Sequence, residues 1–204
     1  MTNLQSNVLR GTQRLLVNVA SILLAGALPG PVQAQTSGAA AEAAKLFEPI
    51  RIVFQHPRCQ NCHIPGDRPL QFNDGKPHAQ NVQRGTDGKG VPAMMCSTCH
   101  QTQNLPASYG SHVPPGAPHW ALPRPEHKMV FIDLTPAELC AAIKDKNANG
   151  GRDLAALTKH VSSDRLVAWG WNPGAEREPV PIPKDEFVAK FRQWVAAGAP
   201  CPGK

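Results

Sequence analysis

The 204-residue chain is poor in the groups that usually fill a protein interior, with one Tyr, four Trp and six Phe. Large rings bury the most apolar surface per residue, so a core made from this polypeptide alone would be thin. A long hydrophobic run is also missing. The best, Leu15 to Leu28, is broken by Asn18, Ser21 and Gly26 and falls short of the ~20 apolar residues that cross a bilayer. No stretch alternates apolar and polar residues for long enough to predict more than a short hairpin. Neither a transmembrane span nor a sheet-based domain is expected.

Acidic residues are absent before Glu42, whereas Arg10 and Arg14 precede the apolar run and Val32-Gln33-Ala34 presents small or apolar residues where a signal peptidase reads. This pattern predicts an export signal over residues 1–34, cleaved after Ala34, and a periplasmic mature chain over residues 35–204. The alternative is that the segment stays as an anchor. Cleavage removes two of the charges behind the formal +6. The small remainder reads as a solvated mixed-charge surface, and nucleic acid is not an expected partner.

Proline and glycine, in contrast, are abundant, at 21 and 17. Ile64 to Met95 and Leu105 to Glu126 carry many of them and show no sustained period, so both read as ordered loop. Loops of that length need something to pack on. Helical periodicity predicts a helix from about Ala40 to Phe54, bent or restarted at Pro49 and preceded by a small-residue linker from Gln35 to Ala41. His56-Pro57 should end it. Thr135-Pro136-Ala137-Glu138 is a capping-box start for a helix to about Lys146. Further helices are expected at about 153–161, with Leu157 and Val161 on one face, and at about 185–197, with Phe187, Phe191, Trp194 and Val195 in a stripe. Trp169 to Gly174 reads as a turn. The fold class is thus mainly α with extensive irregular loops, in one domain.

Two short stretches organise the rest: Cys59-Gln60-Asn61-Cys62-His63 and Cys96-Ser97-Thr98-Cys99-His100. Each is a C-x-x-C-H, the pattern of covalent haem c attachment. Two thiols at this spacing reach the two vinyl groups on one edge of a porphyrin, and the following histidine is carried beneath the ring to bind iron. Two such cofactors would also supply the apolar surface that the composition lacks. Paired C-x-x-C units can instead hold structural zinc. Here the pairs are further apart than the usual ~15–20 residues, and each is followed at once by His. A thioredoxin-like dithiol lacks its βαβ setting.

At this point the chain resembles small dihaem c-type cytochromes. The resemblance implies thioether bonds at Cys59, Cys62, Cys96 and Cys99, and His63 and His100 as proximal iron ligands. More loosely, His56 to Pro202 is similar to cytochrome-type subunits associated with molybdenum hydroxylases and labelled isoquinoline 1-oxidoreductase subunits. That likeness rests on His56-Pro57-Arg58-Cys59, Pro114-Pro115-Gly116-Ala117-Pro118 and Trp169-Gly170-Trp171. The implied partners are redox proteins: a dehydrogenase, another cytochrome or a terminal oxidase.

The motifs are too close in sequence for the first to complete a domain of its own before the second begins, which predicts one shared core. Distal ligands must then come from elsewhere. Met94, Met95, Met129, His56, His78, His112, His119, His127 and His160 are the candidates; His78 and His160 are selected, with Met129 next. Methionine would raise the reduction potential relative to histidine. Arg58, Arg68 and Arg84 are candidates for pairing with haem propionates. Cys140 and Cys201 lie outside the motifs, and an exported chain should pair them in a disulfide. The expected function is electron transfer without substrate turnover. The alternative is a peroxidase-like enzyme with one open haem, for which His112, His119 and Glu126 are conceivable acid/base groups.

Overall fold

Four apolar stripes meet in one core. Phe47, Ile50, Val53 and Phe54 come from helix α1 (Val32–Phe54), Leu139 and Ile143 from α3 (Pro136–Lys144), Leu157 and Val161 from α4 (Leu154–Ser163), and Phe187, Phe191 and Trp194 from α6 (Lys184–Ala196). Two further helices are a single turn each, α2 (Pro57–Gln60) and α5 (Arg165–Ala168). The computed structural model describes residues 32–110, 112–174 and 177–203. The expected signal segment lies outside them up to residue 31. Gln33–Lys204 forms one compact unit.

The few aromatic rings are concentrated. Phe47 tilts against Trp194, Phe54 stacks on Phe131 at 4.7 Å, and Phe187, Phe191 and Trp194 run in series along α6. Local chemistry sets the helix ends. Thr135 and Glu138 form the reciprocal capping box of α3, and the Asp153 carboxylate accepts Ala156 N–H to start α4. Cys140 and Cys201 are joined in a disulfide with Cα atoms 5.5 Å apart, fastening α3 to the C-terminal segment.

Two local expectations are corrected. The small-residue segment 35–41 continues α1 instead of forming a linker, in keeping with the helix propensity of its alanines. Pro49 lies inside the same helix, which neither ends nor restarts there. The turn at Trp169 is a short 3₁₀ segment, Trp169–Trp171.

Among the described residues, strands are limited to two hairpins, β1 (Leu70–Gln71) with β2 (Lys76–Pro77) and β3 (Gly90–Val91) with β4 (Met94–Met95), and no sheet closes. The fold is mainly α. Among the same residues no helix is long and apolar enough to cross a membrane.

The long loop between the motifs is held from inside. Arg84 is fully buried and donates to the carbonyls of Ile64, Gly66 and Pro123 and to Asp67. Gly88, at φ +86, lets Leu122 N–H reach its carbonyl at 2.8 Å; a Cβ there would collide with Leu122 O. These contacts tie residues 64–90 to residues 122–123 and so fix the walls of the site.

Candidate functional site

Each C-x-x-C-H stretch folds into one tight turn. His56 caps α2, its Nδ1 accepting Arg58 N–H, and Pro57 supplies the helical φ of the first position. Cys62 and His63 then both donate their N–H to Cys59 O. At the second motif, Cys99 and His100 likewise both donate to Cys96 O from a 3₁₀ turn over Cys96–Thr98.

The two motif histidines are anchored alike. His63 Nδ1 is 2.8 Å from Met129 O, and His100 Nδ1 is 2.8 Å from Pro115 O. A carbonyl only accepts, so Nδ1 carries the hydrogen and Nε2 keeps its lone pair for a ligand. Each ring also stacks on an aromatic neighbour, His63 on Phe131 at 3.9 Å and 11°, His100 on Trp120 at 4.2 Å and 5°. Burial lowers the pKa of His63 to about 4 and also lowers that of His100. Both imidazoles are therefore neutral near pH 7, the form that binds a metal.

Cys59, Cys62 and His63 line a cavity of about 490 Å³. Its walls include Phe54, Phe131, Leu157, Val161 and Phe187, and its volume is in the ~300–1,000 Å³ range of sites for large organic ligands. His160 lines the same cavity, with Nδ1 3.3 Å from Asp164 Oδ2. That hydrogen bond leaves His160 Nε2 free and holds the Asp164 carboxyl down at a pKa of about 2. The cavity thus joins two thiols, two imidazoles and an apolar enclosure, a set of donors and walls that fits a thiol-tethered porphyrin. Arg58, Arg124 and Arg152 also line it.

At the second motif, the rings of His78 and His100 have centroids 6.2 Å apart. Two imidazoles that each hold one ion at a metal–nitrogen distance of about 2 Å have ring centres about 6 Å apart. His78 is held in place from three directions: its N–H donates to Pro69 O, its Nδ1 donates to Ala79 O at 2.8 Å, and its carbonyl accepts twice from Arg68. This site is more open to solvent than the first, since Cys99 is exposed whereas its counterpart Cys62 is half-buried.

The remaining sequence candidates are placed as follows. Met129 lines the cavity, but its carbonyl sits behind His63, on the Nδ1 side of the ring. His127 lines the cavity with Nδ1 bound to Asn147 O. His56 is the α2 cap. Met94, His112, His119 and Glu126 are exposed, and Met95 is half-buried. Two of the three arginines are spent on the protein itself, Arg84 on loop carbonyls and Arg68 on His78 O. Arg58 is 7% exposed; one end donates to Phe72 O and Asn73, while its Nε has no partner.

Among the described residues no group of three or more His, Cys, Asp or Glu is close enough to share an ion. The thiols are also unsuited to dithiol redox chemistry, which needs a lowered pKa. Burial pushes Cys59 up to about 12 and Cys62 to about 11, and raises Cys96.

Sequence reasoning missed Trp120 and Asp164. Asp164 had a signal, its i,i+4 spacing from His160 on a helix; Trp120, in a Pro-rich loop, had none. No family model, curated protein or solved structure matches the chain.

Proposed function

We propose that this chain is an exported c-type cytochrome that carries two covalently bound haems in one domain and moves electrons between redox proteins. The observation that carries the reading is the apolar cavity in which Cys59, Cys62, His63 and His160 meet. The second motif supports it through the imidazoles of His78 and His100, whose centres are 6.2 Å apart. The partners proposed are a dehydrogenase, for which the chain would be the electron-accepting subunit, and a cytochrome or terminal oxidase.

When bound, haem iron supplies a centre that gains and loses one electron. The chain does the rest. Cys59, Cys62, Cys96 and Cys99 would hold the two groups through thioether bonds. His63 and His160 would offer Nε2 to one iron, His100 and His78 to the other. Met129 O, Asp164, Pro115 O and Ala79 O hold the Nδ1 hydrogens, which orients the rings and tunes their basicity. Phe54, Phe131, Leu157 and Phe187 exclude water. Four imidazoles serving two irons would favour a carrier over a peroxidase, which needs an iron free to take peroxide. The Cys140–Cys201 disulfide suits an oxidising compartment such as the periplasm.

The test is expression in a host with c-type haem-attachment machinery, followed by denaturing extraction and spectroscopy. Two haems that stay with the chain, low-spin optical and paramagnetic-resonance spectra, and no peroxide turnover support the reading. A colourless protein, or a high-spin haem that binds cyanide at neutral pH and turns over peroxide, refutes it.

A further inference from the structure

Trp120 belongs to both sites. Its indole lies parallel to the imidazole of His100, 4.2 Å away and 5° from coplanar, and it also lines the cavity that contains Cys59, Cys62, His63 and His160. Trp169, another lining residue of that cavity, meets Trp120 edge-on at 4.9 Å and is fixed by donating its indole N–H to Asn104. Residues 119–124 are in turn pinned to the inter-motif loop through Leu122 and Gly88.

The opposite stack has no such continuation. His63 lies on Phe131, which lies on Phe54 in the helical core. Among the described residues, a ring in face contact with one motif histidine and bordering the cavity of the other motif is thus found in Trp120.

We propose that Trp120 is the contact through which the two iron sites exchange electrons. The inference rests on the dihaem reading above. The step is balanced within the protein: one iron goes from ferrous to ferric as the other goes from ferric to ferrous. No proton moves, no bond breaks, and Trp120 stays closed-shell throughout.

The experiment uses the full holoprotein with Trp120→Leu and Trp120→Phe. Haem content, low-spin paramagnetic-resonance signals and the two potentials are measured first. Intramolecular exchange is then read from the broadening of haem-methyl proton resonances in half-reduced samples. Trp120 is half-buried in a loop outside the helical core, so both variants should fold. Trp120→Leu is expected to slow exchange by about an order of magnitude, while Trp120→Phe, which keeps a stacked ring, stays near the parent rate. Exchange in Trp120→Leu as fast as in the parent, or a Phe variant as slow as the Leu variant, overturns the proposal. A parent protein with no haem at one motif overturns the dihaem reading as well, and haem content shows this before any rate is measured.

Discussion

His160 and Asp164 share one hydrogen bond across a helix end: Nδ1 of the imidazole is 3.3 Å from Oδ2 of the carboxylate. The other oxygen, Oδ1, accepts Leu166 N–H and Val167 N–H at 2.8 and 3.2 Å and so caps α5. The cap immobilises the carboxylate, and the carboxylate immobilises the ring. Asp164→Asn keeps a capping oxygen but replaces an anion with a neutral acceptor, which makes His160 a weaker donor. The potential assigned to the first motif should rise and that of the second stay unchanged, as checked by spectroelectrochemical titration.

Removing one distal imidazole at a time should separate the two sites. His160→Ala is expected to turn the first haem high-spin and open it to cyanide, and His78→Ala to do so at the second. Optical and paramagnetic-resonance spectra of the oxidised variants check this. Either variant with two unaltered low-spin signals would remove that histidine from the ligand set.

Arg84 is a structural cation whose loss should be felt throughout the loop. Replacing it with Leu leaves the carbonyls of Ile64, Gly66 and Pro123 without their donor in a buried setting. An unsatisfied buried polar group costs ~1–3 kcal/mol, and partial relaxation should bring the total for Arg84→Leu to about 3 kcal/mol. Urea unfolding of the holoprotein measures it.

Acid should loosen the same region. Lys128 first, and Arg84 second, hold the Asp67 carboxyl below its ordinary pKa. A group depressed in the folded state stabilises it above the ordinary carboxylate pKa of about 4 and loses that contribution as pH falls through the lowered value. Asp67→Asn should therefore be less stable than the parent near pH 7, and the gap should close as pH falls through the lowered value. Thermal unfolding followed across that range checks the sign.

The disulfide closes a separation of 61 residues. Loop-closure entropy assigns such a link about 4 kcal/mol. The Cys140→Ala, Cys201→Ala double variant should lose roughly that much in denaturant unfolding while keeping two haems, and reductant should no longer affect its unfolding.

Much of the helical frame is legible locally. The Thr135–Glu138 capping box, the Asp153 cap and the 3/4 spacing of Phe187, Phe191 and Trp194 act within a few residues of one another. Segment 35–41 was misread because small residues suit both a linker and a helix, and continuation of α1 decided between them. The bonds of Arg68 and Arg84 left no local signal, because the carbonyls they bind belong to loops with no period. The same reason hid Trp120, whose partner His100 reaches it only after the Pro-rich chain has turned back.

By itself the sequence determined what is set by short-range covalent spacing: two thiols and an imidazole on one turn at each motif, the helix caps, and a leftover cysteine pair. The placing of His160 in the wall of the first cavity and of His78 beside His100, the carboxylate behind His160, and the position of Trp120 between His100 and that cavity were decided by tertiary structure alone. These contacts join residues distant along the chain, and the closing of one apolar core, with buried Arg84 fixing the loops around it, brings them together.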